Sequence, residues 1–207
     1  GNHFGGYSSF TLDITDFLNI GENDLTVNAR DNNRSGKQPK GKQASAFYSQ
    51  GCDYTRTTGI WQTVWLEFVP KGYIKTAKYY PDTEEGAFDI ELTLSYGGKL
   101  TVEALYEGKP AGTSSKEIKG SYARLHLPLA EKHLWDVGKG RIYDLKFTLE
   151  TEYGTDVLYS YAGLRDVRID GFKVLINGKS VFQRTVLDQG FYPDGIYTAN
   201  SDEALKG

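Results

Sequence analysis

Residues 88–109, FDIELTLSYGGKLTVEALYEGK, decide the fold class. Phe88, Ile90, Leu92 and Leu94 occupy every second position, with Asp89, Glu91 and Thr93 between them. Leu100, Val102 and Ala104 resume the same alternation after Gly97-Gly98. A period of two is that of a β-strand, whose side chains point to opposite faces in turn. Two such runs around a glycine pair predict a hairpin turning at Gly97-Gly98. The pattern continues in ARLHLPL (123–129), IYDLKFTLE (142–150) and VLYSYAGL (157–164). About seven short strands separated by turn signals predict an immunoglobulin-like sandwich over residues 72–171. Only one cysteine is present, Cys52, so the sandwich is not of the disulfide-bonded kind.

On the N-terminal side, FTLDITDFL (10–18) and LTVNA (25–29) alternate in the same way and predict further strands. Residues 30–51 are polar and predict a long loop, which in a compact domain is functional or mobile. RTTGIWQTVWLEFVP (56–70) then brings two of the three tryptophans. As a strand, it puts Ile60, Val64, Leu66 and Phe68 on a core face. Trp61, Thr63, Trp65 and Glu67 fall on the other. Two tryptophans outside a sheet call for a cover, and packing against a neighbouring domain is favoured over stacking on a carbohydrate. Pro70-Lys71-Gly72 marks a boundary between segments 1–71 and 72–171.

Beyond it, FKVLINGKSVFQRTVLD (172–188) predicts a hairpin at Asn177-Gly178 followed by a strand. SDEALKG (201–207) reads as a helix start, with Ser201 as N-cap and Asp202 and Glu203 in the first turn. The chain starts in strand-and-turn sequence and stops within two turns of that helix. Both ends therefore read as cuts through a larger structure.

Composition narrows the function classes. A formal net charge of −3 with 25% charged residues provides no basic field for nucleic acid. No apolar run approaches the ~20 residues of a membrane-spanning helix. His3, His126 and His133 are scattered, and no Cys/His spacing suits zinc. Neither a Gly-x-Ser-x-Gly elbow nor a phosphate-cradling glycine loop occurs. Residue chemistry alone gives a β-sandwich protein.

HFGGYSSFTLDITDFLNIGENDLTVNARD (3–31) and CDYTRTTGIWQTVWLEFVP (52–70) resemble the second half of the sugar-binding jelly roll of glycoside hydrolase family 2. LWDVGKGRIYDLKFTLE (134–150) with YAGLRDVRI (161–169) resembles the end of that family's immunoglobulin-like domain. Residues 172–207 resemble the entry into its catalytic (β/α)8 barrel: hairpin, first strand and first helix. One departure is the loop after Trp135, where Val137 and Gly140 stand in place of the family's usual prolines.

The resemblance implies the parent's chemistry: hydrolysis of terminal β-linked sugars, β-galactosides first and β-glucuronides next, with retention. Retaining enzymes need two carboxyl groups about 5–5.5 Å apart. In this family both come from later barrel strands, one within an Asn-Glu pair, and this sequence has no Asn-Glu. A whole barrel takes roughly 250 residues. These 207 residues are therefore expected to be non-catalytic, with the catalytic barrel as their partner and a carbohydrate as substrate of the complete enzyme. The resemblance also implies that Asp53 helps to hold the sugar and a monovalent cation. Asp188 and Gln189 would lie at the sugar-facing end of the first barrel strand. No organic cofactor is implied. Read without the resemblance, Asp53 is a water-facing loop aspartate, and Arg56 equally suits pairing with a surface acid. A free-standing carbohydrate-binding or adhesive β-sandwich is the alternative, and the barrel-entry sequence 172–207 argues against it.

Overall fold

A computed structural model of the chain describes residues 1–187, 192 and 197–206. The chain is all-β apart from short helical turns. It divides into two units, residues 66–185 and residues 1–65 with 186–207.

The 66–185 unit is the immunoglobulin-like sandwich. Strands β1 (Ile74–Asp82), β2 (Ala87–Leu94) and β5 (Tyr122–Pro128) make one sheet in the order β1-β2-β5. Strands β3 (Gly98–Tyr106), β4 (Lys109–Ile118), β6 (Tyr143–Thr151) and β7 (Gly154–Ala162) make the other, ordered β4-β3-β6-β7. All these pairings are antiparallel. Alternation in the sequence becomes the core directly. Phe88, Ile90, Leu92 and Leu94 of β2, Leu100 and Val102 of β3, and Leu145, Phe147 and Leu149 of β6 are all buried. Two polar contacts tie β1 to β7 across the sandwich. The Ile74 N–H donates to Asp156 Oδ2 at 2.9 Å, and the Tyr79 hydroxyl donates to Ser160 Oγ at 2.8 Å.

The hairpin expected at Gly97-Gly98 is not there. β2 and β3 belong to different sheets, and residues 95–97 carry the chain across the sandwich. The glycines serve close approach instead. A Cβ on Gly97 would meet the Ile118 carbonyl oxygen at 2.3 Å, and one on Gly98 would meet that of Glu150 at 2.2 Å. The chain reverses one strand later, at Glu107-Gly108, where both residues have positive φ (51° and 76°), as a two-residue hairpin turn demands.

Tyr143 closes the connection between β5 and β6. Its hydroxyl donates to the Glu131 carbonyl at 2.7 Å and accepts from the His133 N–H at 2.7 Å. A tyrosine at the start of this strand with its hydroxyl on upstream backbone is the corner device of immunoglobulin-like sandwiches. Burial pushes the phenol's pKa up, so it stays protonated and keeps donating. Tyr143→Phe keeps the ring and strands both backbone groups. We expect a loss of about 1–3 kcal/mol in urea-induced unfolding. An unchanged midpoint would mean that water replaces the hydroxyl at no cost.

A small meander follows: β8 (Val167–Asp170), β9 (Lys173–Ile176) and β10 (Lys179–Ser180), ordered β10-β9-β8. The turn between β9 and β10 is Asn177-Gly178, as the sequence predicts, with φ of 49° and 75°. The strand expected over 181–188 is not formed at 181–187, and Asp188 lies outside the described residues. A barrel strand draws its hydrogen bonds from parallel neighbours, and every pairing between the named strands here is antiparallel. At the C-terminal end, α1 (Asp202–Lys206) forms where expected, and Ser201 Oγ accepts from the Ala204 N–H at 3.3 Å.

The other unit holds the remaining corrections. Residues 10–18, 25–29 and 60–68 form no strands. Thr15–Phe17 is instead a 3₁₀ turn, set by the Asp13 carboxylate, which accepts from both the N–H and the hydroxyl of Thr15. Asn23 makes a comparable local clamp on Asn19 and Gly21. Alternation becomes a strand only where another strand satisfies its backbone, and no named strand lies in residues 1–65. The face assignment in 60–68 fails for the same reason. Val64 and Leu66 are 61% and 62% exposed, whereas Trp61 is 39% exposed and Trp65 66%. The expected order, with both indoles more exposed than Val64 and Leu66, is reversed at Trp61. Its indole N–H donates to the Gly6 carbonyl at 2.8 Å, and its ring packs edge-on against Tyr7 and Tyr197.

Candidate functional site

Asp53 lies just after the polar loop, in a segment tied back to it by backbone hydrogen bonds. The Tyr54 N–H donates to the Lys42 carbonyl and the Ala44 N–H to that of Tyr54, each at 2.7 Å. Gln50 and Asp53 exchange backbone hydrogen bonds of 2.9 and 3.1 Å, making a tight turn that displays the Asp53 side chain. Its carboxylate is half-buried and pairs with Lys40 Nζ at 3.6 Å. Gln43 anchors the turn from beneath: it is buried, and its amide oxygen accepts from the Thr57 N–H at 3.0 Å. Arg56 pairs with no acid among the described residues. Its guanidinium lies 4.1 Å from the centre of the Phe47 ring, and that of Arg34 lies 4.5 Å from it.

This stretch thus carries two local pairings, Asp53 with Lys40, and Arg34 and Arg56 on the Phe47 ring. Such groups can hold hydroxyl-rich ligands by hydrogen bonds and ring contact. The Asp53 pair fits a cation poorly, because the charge of Asp53 is already answered by Lys40. No group of three or more His, Cys, Asp or Glu side chains among the described residues could hold a metal ion. The sequence singled out Asp53 and Arg56 but not Lys40, Gln43 or Phe47, which chain folding alone brings near. Asp188 and Gln189 lie outside the described residues.

A second polar cluster lies on the sandwich. Asp89 on β2 and His126 on β5 are direct cross-strand partners, with Asp89 Oδ1 2.9 Å from His126 Nδ1. Arg124 Nη2 donates to Asp89 Oδ2 at 3.2 Å, and Glu85 lies 3.7 Å from His126 Nε2. Ser114, Ser115 and Lys116 complete an open groove between the edges of β4 and β5. The hydrogen bond from His126, with help from Arg124, holds the Asp89 carboxyl below the usual carboxylate range. A general acid for glycoside cleavage needs the opposite shift. This cluster is a cross-strand ion network.

A Formosa agariphila protein assigned as a β-glucuronidase is 31% identical over 197 residues, covering 89% of this chain and 23% of the relative. A β-galactosidase of Clostridium acetobutylicum is 29% identical over 164 residues, covering 73% of this chain and 17% of the relative. The chain is a homologue of family 2 glycoside hydrolases. A β-galactosidase of Thermoanaerobacter pseudethanolicus adds 25% identity over 195 residues, covering 86% of this chain and 25% of the relative. Among solved structures, a Ruminococcus gnavus β-glucuronidase aligns with 55% of this chain and 19% of its own, at 22% identity and a TM-score of 0.46. No protein-family model matches. The family 2 homologue described here spans about a quarter or less of the length of these curated relatives.

Proposed function

We propose that these 207 residues are a non-catalytic portion of a retaining glycosidase that removes terminal β-linked sugars. The observation that carries this reading is identity over almost the whole chain to a protein assigned as a β-glucuronidase, with β-galactosidases also related over most of it. A β-galactoside is the first substrate class, on the resemblance of the Asp53 segment to that of β-galactosidases. A β-glucuronide is the second, favoured by the 31% identical relative.

In this reading the sandwich is a scaffold, and the Asp53 turn reaches the sugar from outside the catalytic domain. A carboxylate accepts hydrogen bonds from sugar hydroxyls, and Lys40 pairs with it at 3.6 Å. Asp188 and Gln189 would add contacts from the first barrel strand; the amide of Gln189 can bond a hydroxyl but carries no proton. Trp61 and Trp65 belong to the surface that packs on the rest of the enzyme. A monovalent cation at Asp53 is disfavoured, since Lys40 already answers the carboxylate's charge.

Asp53→Asn in the complete enzyme tests this role. A charge-assisted hydrogen bond made to substrate is worth about 1.5–3 kcal/mol. We expect kcat/KM for the preferred aryl β-glycoside to fall about ten- to a hundred-fold, with the melting temperature unchanged. Unchanged kinetics would return Asp53 to an ordinary loop aspartate paired with Lys40.

A further inference from the structure

Asn177 does more than turn a hairpin. Its side-chain Nδ2 donates to the Trp135 carbonyl at 2.8 Å, and its Oδ1 accepts from the Asp166 N–H at 3.0 Å. Its own N–H donates to the Asp166 carbonyl at 2.9 Å. Trp135 is held in turn: its N–H donates to the Leu164 carbonyl at 3.0 Å, and Arg165 stacks over its ring at 4.6 Å. One half-buried amide thus joins three segments: the loop after β5, the exit from β7, and the β8–β10 meander. Gly178 follows it, exposed, and this is the sole Asn-Gly dipeptide in the chain.

Asn-Gly is the sequence in which a side-chain amide is most open to attack by the following backbone nitrogen, because glycine presents no side chain to block it. We propose that Asn177-Gly178 is a latent deamidation site, protected by the hydrogen bonds of its own side chain, whose conversion unlatches the β8–β10 meander. The Gly178 nitrogen bonds to Asn177 Cγ, the Cγ–Nδ2 bond breaks, and ammonia leaves with a proton. Water then opens the cyclic imide to aspartate or isoaspartate. No oxidant, reductant or cofactor is needed. In the folded chain Cγ is held away from this reaction, since Nδ2 and Oδ1 both point to fixed backbone partners and the turn fixes φ at 49°. The product puts a carboxylate oxygen against the Trp135 carbonyl, two acceptors with no proton between them.

The test incubates the 207-residue chain at mildly alkaline pH, folded and in concentrated urea. The tryptic peptide 174–179 is then weighed for the mass gain of amide-to-acid conversion. Two hydrogen bonds must break before reaction, so the folded chain should convert at least about ten-fold more slowly. Equal rates would overturn the protection. For the unlatching, Asn177→Asp and Asn177→Gly are compared by hydrogen exchange; the glycine variant keeps the turn without the amide. In both, the amides of Trp135 and residue 177 should exchange at least about ten-fold faster, with those of Val102 and Leu145 unchanged. Native protection at Trp135 in either folded variant would overturn the latch.

Discussion

Phe147→Ala should remove about 3–5 kcal/mol from the stability of the sandwich. The ring is fully buried in the middle of the four-strand sheet, with Val102 of β3 on one side and Leu158 of β7 on the other. From the facing sheet, Tyr79 packs on it at a ring separation of 6.1 Å. Truncation leaves a cavity that two hydrogen-bonded sheets cannot collapse to fill, so the lost contacts are not regained. Domains of this size are stable by about 5–15 kcal/mol, and such a loss takes a large share. Urea unfolding followed by tyrosine and tryptophan fluorescence should show the midpoint falling steeply. Phe68→Ala is the control: Phe68 is exposed, and its removal should cost within about 0.5 kcal/mol. Comparable losses at the two positions would show that the sandwich core is not where the alternation puts it.

How much of this could be read from the sequence depends on where each strand gets its partners. β2, β3, β5, β6 and β7 carry apolar residues at every second position, and all five stand out in the chain. β1 and β4 do not, although β5 and β7 are edge strands as well. Lys75, Lys78, Ser114, Ser115 and Lys116 interrupt their apolar pattern, as suits an edge exposed to water. Gly97-Gly98 misled because glycine signals a turn and a close backbone approach equally well, and only the neighbouring carbonyls of Ile118 and Glu150 distinguish them. Residues 10–18, 25–29 and 60–68 have sound strand patterns, yet a pattern fixes only the faces of a strand, not the existence of a neighbour. Asp53 was visible as a residue type in a family-like segment. Its pairing with Lys40 and the stacking of Arg56 on Phe47 depend on how the loop closes, which no period encodes.

The second large effect is catalytic. Glycosidic bonds yield to a nucleophile and an acid/base placed together, and enzymes gain at least about 10⁶-fold over the uncatalysed reaction. The folded residues here provide a sandwich core and an ion network whose aspartate is tuned away from acid catalysis. Under the proposed function, catalysis comes from the barrel of the complete enzyme. The decisive measurement sets the purified 207-residue chain beside the product of a reading frame extended past Gly207, each assayed with aryl β-galactoside and aryl β-glucuronide. The account predicts no release above a buffer blank from the 207-residue chain and saturable release of one of the two sugars from the extended protein. Turnover by the short chain that survives repurification, or an extended protein that cleaves neither glycoside, would contradict it.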